Sequence, residues 1–250
     1  MSTQSRLPTG DSSLQWTPNS GVTNYTQVDD PIGTPDDATT TVLIGTGKTD
    51  YRDVYSYSPF TIPIAGYTIS SVTVYARYMK SAVWSSTNGE ILKVGGTVYE
   101  SAGRTQGSYG NWYDYNSVWT TNPKSLAAWT PNDVNGVGAN ALQAFGIWGT
   151  TAGISMSLYC TQVYIVVTFA ATVLSQRRVP TGDVSVEFLK SGGATNYENV
   201  DEYPATNDAD YNWSNANAKK DIFSFSPFTV PAGASIINVK LYVRAKRSVP

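Results

Sequence analysis

The sequence predicts an all-β protein: an antiparallel β-sandwich of jelly-roll type, written as a tandem repeat whose second copy is incomplete. Three observations lead there. Charged residues are only 14% of the 250, where ordinary globular chains carry about a quarter. The exposed faces of a helical bundle need many more Glu, Lys and Arg than that. Short runs of alternating β-branched and aromatic residues lie between clusters of Gly, Pro, Asn and Asp, the pattern of strands and turns. Finally, residues 6–81 resemble residues 178–248.

The repeat can be followed residue by residue. Arg6-Leu7-Pro8-Thr9-Gly10-Asp11 returns as Arg178-Val179-Pro180-Thr181-Gly182-Asp183. Thr23-Asn24-Tyr25 with Val28-Asp29-Asp30 returns as Thr195-Asn196-Tyr197 with Val200-Asp201-Glu202. The run from Asp53 through Pro59-Phe60 to Pro63 returns from Asp221 through Pro227-Phe228 to Pro231. Val72, Val74, Tyr75 and Arg77 return as Val239, Leu241, Tyr242 and Arg244. Residues 82–170 have no second copy. The expected organisation is therefore a complete sandwich at 6–170, a linker at 171–177 and the first half of a homologous sandwich at 178–250.

Individual elements follow from local pattern. Residues 71–78 alternate strictly, with Val72, Val74 and Ala76 on one face and Thr73, Tyr75 and Arg77 on the other. Residues 54–58 alternate as well. Ile91-Leu92-Lys93-Val94, Gly95-Gly96 and Thr97-Val98-Tyr99 read as a hairpin on a two-residue turn. Thr130 caps a short helix, Pro131 suits its first position, Asp133 lies at its positive end, and Gly136 and Gly138 stop it. The strongest strand is 155–169: Met156, Leu158 and Cys160, then Val163 to Phe169. Cys160 within it reads as a small buried side chain.

Several function classes are excluded or disfavoured. There is no histidine, so Ser-His-Asp and Cys-His catalysis are impossible. One cysteine allows no intrachain disulfide. A net charge of −2 without a basic stripe disfavours nucleic acid. No run is long and apolar enough for a membrane helix, and residues 1–10 lack the apolar core of a signal peptide. Gly45-Thr46-Gly47-Lys48-Thr49 lacks the spacing of a phosphate loop and reads as strand and turn.

Two groups of residues invite a functional reading. Tyr109, Trp112, Tyr113, Tyr115 and Trp119 sit among Gly, Asn, Asp and Ser. They suit a sugar-stacking platform or a protein contact, and equally an end-plug of the sandwich core. Asp29, Asp30, Asp36 and Asp37 offer oxygen ligands in number for calcium. Asp beside Pro and Gly is also ordinary turn chemistry, and the repeat has Ala209 where Asp37 stands. No other cofactor is expected, and a glycosidase pair among these acids has no support from spacing.

Thr121-Asn122-Pro123, Ala128-Trp129-Thr130, Leu142 to Gly146 and Thr161 to Val167, with the opening Pro8-Thr9-Gly10-Asp11, resemble a motif series in tailed-phage and metagenomic virion structural proteins. That resemblance implies tandem jelly-roll or lectin-like sandwiches at a virion surface, assembled in the host cytoplasm. It implies a non-enzymatic decoration, tail or fibre role, with partners among its own copies or other virion proteins. The alternative is a carbohydrate-binding module or adhesin that uses the aromatic cluster on a cell-surface glycan.

Overall fold

The computed structural model describes residues 1–21, 23–37, 39–151, 156–172, 175–202, 209–216, 218–230 and 236–246. They divide into two compact units, residues 1–172 and 173–250.

The first unit holds β1 (Ser2–Arg6), β2 (Pro8–Ser13), β3 (Thr17–Pro18), β4 (Val42–Ile44), β5 (Tyr51–Tyr57), β6 (Tyr67–Lys80), β7 (Ser86–Val94), β8 (Thr97–Glu100), β9 (Arg104–Thr105) and β10 (Tyr113–Trp119), the single-turn helix α1 (Pro131–Val134), β11 (Leu142–Thr151) and β12 (Leu158–Ala171). Two six-stranded antiparallel sheets result. One runs β10-β6-β12-β4-β3, with β1 also on β12; the other runs β2-β5-β11-β7-β8, with β9 also on β7. Val72, Val74 and Tyr78 from the first sheet and Leu92, Phe145 and Ile147 from the second share one buried core. The unit is thus an all-β antiparallel sandwich.

The alternation expected in β6 is present, and both long strands change phase at a bulge. In β12, Thr161 is the extra residue between the pairs Cys160↔Tyr78 and Gln162↔Arg77. Leu158 and Cys160 before it, and Val163, Ile165 and Val167 after it, therefore all face the core. Cys160 is fully buried, as its apolar surroundings suggested. In β5 the alternation expected over 54–58 sends Tyr55 and Tyr57 to the main core, while Val54 is buried elsewhere, in a second small cluster with Ile91, Ala144 and Trp148.

The hairpin and the helix follow their local chemistry. Val94 pairs with Thr97 across Gly95-Gly96. Both glycines have positive φ, +53° and +86°, as a primed two-residue turn requires. Thr130 accepts from the Asp133 amide, and the Asp133 carboxylate accepts from the Thr130 amide, a complete capping box.

The repeated motifs turn out to be one hydrogen-bonded clasp around a buried carboxylate. Asp53 is fully buried. Its Oδ1 accepts from the amides of Gln15 and Trp16 at 2.7 and 2.8 Å. Its Oδ2 accepts from Asn24 Nδ2 at 2.6 Å and the Tyr55 hydroxyl at 3.1 Å. Asp11 accepts from the amides of Asn24 and Tyr25. Arg6 donates to the Ser58 carbonyl and lies over the Phe60 ring.

The second unit builds the same clasp. It contains β13 (Pro180–Ser185) paired with β16 (Ile222–Phe225), and β14 (Leu189–Lys190) paired with β15 (Asn212–Trp213). Asp221 accepts from the amides of Glu187 and Phe188 and from Asn196 Nδ2. Asp183 accepts from the amides of Asn196 and Tyr197, and Arg178 lies over Phe228. Phe223 stands where Tyr55 does and has no hydroxyl. The fourth donor comes instead from Asn212 Nδ2 on β15, at 3.2 Å. Of the repeat partners read from sequence, Pro231 lies outside the described residues.

The two carboxyls titrate in opposite directions. Burial raises Asp53 above the ordinary aspartate value despite its four donors. Asp221 is less buried, its hydrogen bonds outweigh desolvation, and it is lowered. Asp53 thus contributes stability that falls as pH rises from the unfolded to the folded pKa; the contribution of Asp221 is lost as pH falls through its folded pKa. Carboxyl-detected NMR titration should place Asp53 above and Asp221 below an unstructured aspartate, and the reverse order would contradict this balance. Asp53→Ala strands several buried donors, each worth about 1–3 kcal/mol. Urea denaturation of the first unit should show a loss of at least about 3 kcal/mol.

Candidate functional site

The site with the most chemistry lies where the edges of the two sheets approach. The strand β10 is an edge of the first sheet, and β8 and β9 flank β7 at an edge of the second. Between these edges runs a groove of about 570 Å³, lined by residues 100–104 on one side and 116–119 on the other.

Local pairing fixes both walls. Glu100 pairs with Ile91 on β7, and Arg104 pairs with Asn88. Ser101 is locked to Glu90 by two bonds: its amide donates to the Glu90 carbonyl, and its hydroxyl accepts from the Glu90 amide. Ala102 and Gly103 then cross close above Trp148. A Cβ on Gly103 would come within 2.7 Å of that ring, so only glycine lets the chain pass. The opposite wall is held from behind, where Trp129 Nε1 donates to the Trp119 carbonyl at 3.0 Å and the Trp119 ring leans on the core.

Beneath the groove lies a buried ion pair. The Arg104 guanidinium binds the Glu90 carboxylate, the Ser117 hydroxyl at 3.1 Å and the Asn116 carbonyl at 3.0 Å. It also covers the Tyr115 ring at 4.9 Å. Glu90 has no exposed surface, and its Oε1 meets no donor. Burial pulls the Arg104 guanidinium below its ordinary range. Glu90 is the last of three inward polar residues on β7; Asn88 and Ser86 precede it, both buried. Asn88 donates to Gln106, which donates to the Tyr78 carbonyl. At the groove rim Glu100 pairs with Arg52.

The five aromatics singled out from sequence do not stand together. Tyr113 and Tyr115 stack at 6.3 Å, and their hydroxyls accept from the amides of Ser108 and Gly107. Tyr115 is closed off by Arg104 on top and touches Tyr78. Trp119 lines the groove, Tyr109 is exposed beyond β9, and Trp112 is half-buried. Arg104, Glu90, Glu100, Asn116 and Ser117 carried no motif. A signal for Glu90 did exist: extending the hairpin's alternation back from Leu92 places Glu90, Asn88 and Ser86 inside.

The four aspartates of the 28–37 loop are scattered over different partners. The backbone of Asp29 bridges that of Gln162 on β12, and the Val28 carbonyl accepts from the Val163 amide at 2.9 Å. Asp30 accepts from the Asp36 amide, and Asp36 accepts from Thr40 and Thr161. Asp37 pairs with Arg77, which also binds Asp114. Burial raises the carboxyls of Asp29 and Asp30. Among the described residues, no three His, Cys, Asp or Glu side chains converge on a metal position.

No family model matches the sequence, and no curated protein is similar to it. Solved structures with a likeness include a family 16 carbohydrate-binding module, at 9% identity over 53% of this chain and 77% of that one, TM-score 0.30. Another is the C-terminal CBM6 of the marine laminarinase LamC from Zobellia galactanivorans, at 11% identity over 66% and 98%, TM-score 0.33. A third is the enzymatically active domain of tailspike protein 4 of bacteriophage CBA120, at 10% identity over 65% and 19%, TM-score 0.32.

The buried pair makes a stability prediction. Arg104→Met leaves the Glu90 charge uncompensated and should cost about 3–5 kcal/mol at neutral pH by urea denaturation. Adding Glu90→Gln should recover most of that loss; an equal loss in the double variant would show that the ion pair is not what the arginine supports.

Proposed function

We propose that the first unit is a non-catalytic carbohydrate-binding module and that the groove between β8–β9 and β10 is its ligand site. The observation that carries this reading is the groove's lining. The Trp119 ring and Val118 offer apolar surface for the C–H faces of a sugar, while Arg104, Asn116 and Ser117 offer hydrogen-bonding groups beside it. Such a mixture suits a ligand that is apolar on its ring faces and polar at its rim. Binding without turnover fits the acids at the site: Glu90 is sealed beneath Arg104, and Glu100 is tied to Arg52.

A virion structural role, of decoration, tail or fibre type and acting by self-association, is the second reading. What supports it is the resemblance of Thr121-Asn122-Pro123, Ala128-Trp129-Thr130 and Thr161 to Val167 to virion structural proteins. Light scattering of the full chain across concentration tests it: a defined oligomer supports this reading, and a monomer throughout removes it. The two readings are compatible, since a surface protein can display a glycan site.

Isothermal titration against a panel of oligosaccharides tests the first reading. Trp119→Ala should weaken binding at least about tenfold, the cost of losing one stacking ring. Val118→Arg, which obstructs the groove from an exposed position, should abolish binding without disturbing the core. Tyr109→Ala should bind as wild type does. A loss on Tyr109→Ala with none on Val118→Arg would move the site out of the groove.

A further inference from the structure

We infer that the groove selects an uncharged oligosaccharide, and that Glu90 enforces this by cancelling the charge of Arg104 from the protein side. This rests on the reading of the groove as a glycan site and adds the ligand class.

Only two residues that line the groove carry a formal charge, Glu100 and Arg104. Each brings its own counter-ion from within the unit: Arg52 for Glu100 and Glu90 for Arg104. The remaining polar lining, Ser101, Asn116 and Ser117, is neutral. A ligand entering the groove therefore meets hydrogen-bonding groups without a net charge to satisfy.

Arg104 is the residue that would otherwise attract acids. A guanidinium offers five N–H donors and matches carboxylates well. Here it is committed to Glu90, Ser117 and the Asn116 carbonyl, with the Tyr115 ring beneath it. The N–H groups left over suit ligand hydroxyls. A uronate carboxylate would sit one guanidinium away from a carboxylate that has no exposed surface and cannot turn toward water. With Arg104 already neutralised, the groove offers the uronate no net opposite charge to offset its desolvation, a cost that a neutral sugar does not meet. Glu90 acts through Arg104 and is a positioning residue, not a ligand contact.

The test is isothermal titration of the full chain with four probes: neutral gluco- and manno-hexaoses, and hexauronates of galacturonic and mannuronic acid. Wild type should bind at least one neutral hexaose about tenfold or more tighter than either hexauronate. That affinity should stay constant from low to high salt, since no net charge is neutralised. Glu90→Gln leaves Arg104 without its counter-ion, and should raise hexauronate affinity by about tenfold with a new salt dependence. Wild type preferring a hexauronate overturns the inference and leaves the groove as a glycan site. An unchanged preference in a folded Glu90→Gln variant does the same. Should that variant fail to fold, the wild-type ratio and its salt dependence decide. Binding of none of the four probes, or full binding by Val118→Arg, removes the groove site and this inference with it.

Discussion

One carboxylate organises the framework of this chain. Asp53 is buried and has no ion pair among the described residues, an arrangement that is costly in a sandwich interior unless every lone pair is used. The two backbone amides at Gln15 and Trp16, the Asn24 side chain and the Tyr55 hydroxyl use them. That requirement ties the segment before β3, the turn at 24–27 and β5 into one geometry, from which β4 and the loop on β12 follow. The second unit supplies the fourth bond differently: Phe223 stands in the place of Tyr55 without a hydroxyl, and Asn212 Nδ2 on β15 donates to Asp221.

This explains which parts of the sequence were informative about what. Arg6, Asp11, Asn24 and Asp53 recur in the second unit because they are scaffold: each is consumed by internal hydrogen bonds. The groove is built from residues 90–119, outside those motifs. Repetition therefore pointed to the clasp and not to the groove.

The fold was legible where local physics decides it. Alternation in β6, the Gly-Gly turn and the Thr130 cap are all short-range patterns, and all are present. In β5 the alternation did not reveal that Val54, outside the main core, is buried too. The site was less legible for two reasons. An aromatic-rich stretch does not say which ring faces inward, and the register of β10 on β6 sends Tyr113, Tyr115 and Trp119 to the core side while only the last reaches the groove. The Glu90–Arg104 pair joins residues from β7 and β9 through the sandwich edge, a contact that no spacing in the sequence encodes.

The site combines a rigid wall, an aromatic ring and charges already matched within the protein, which is the physics of a binding surface for a neutral polar ligand. The most direct test is amide and indole NMR mapping of the chain titrated with a neutral hexaose. The account predicts perturbations confined to residues 100–104 and 116–119 and to the Trp119 indole, with Tyr109 and Trp112 unmoved. Perturbations centred on Tyr109 and Trp112, or none in the groove while the sugar binds, would contradict it.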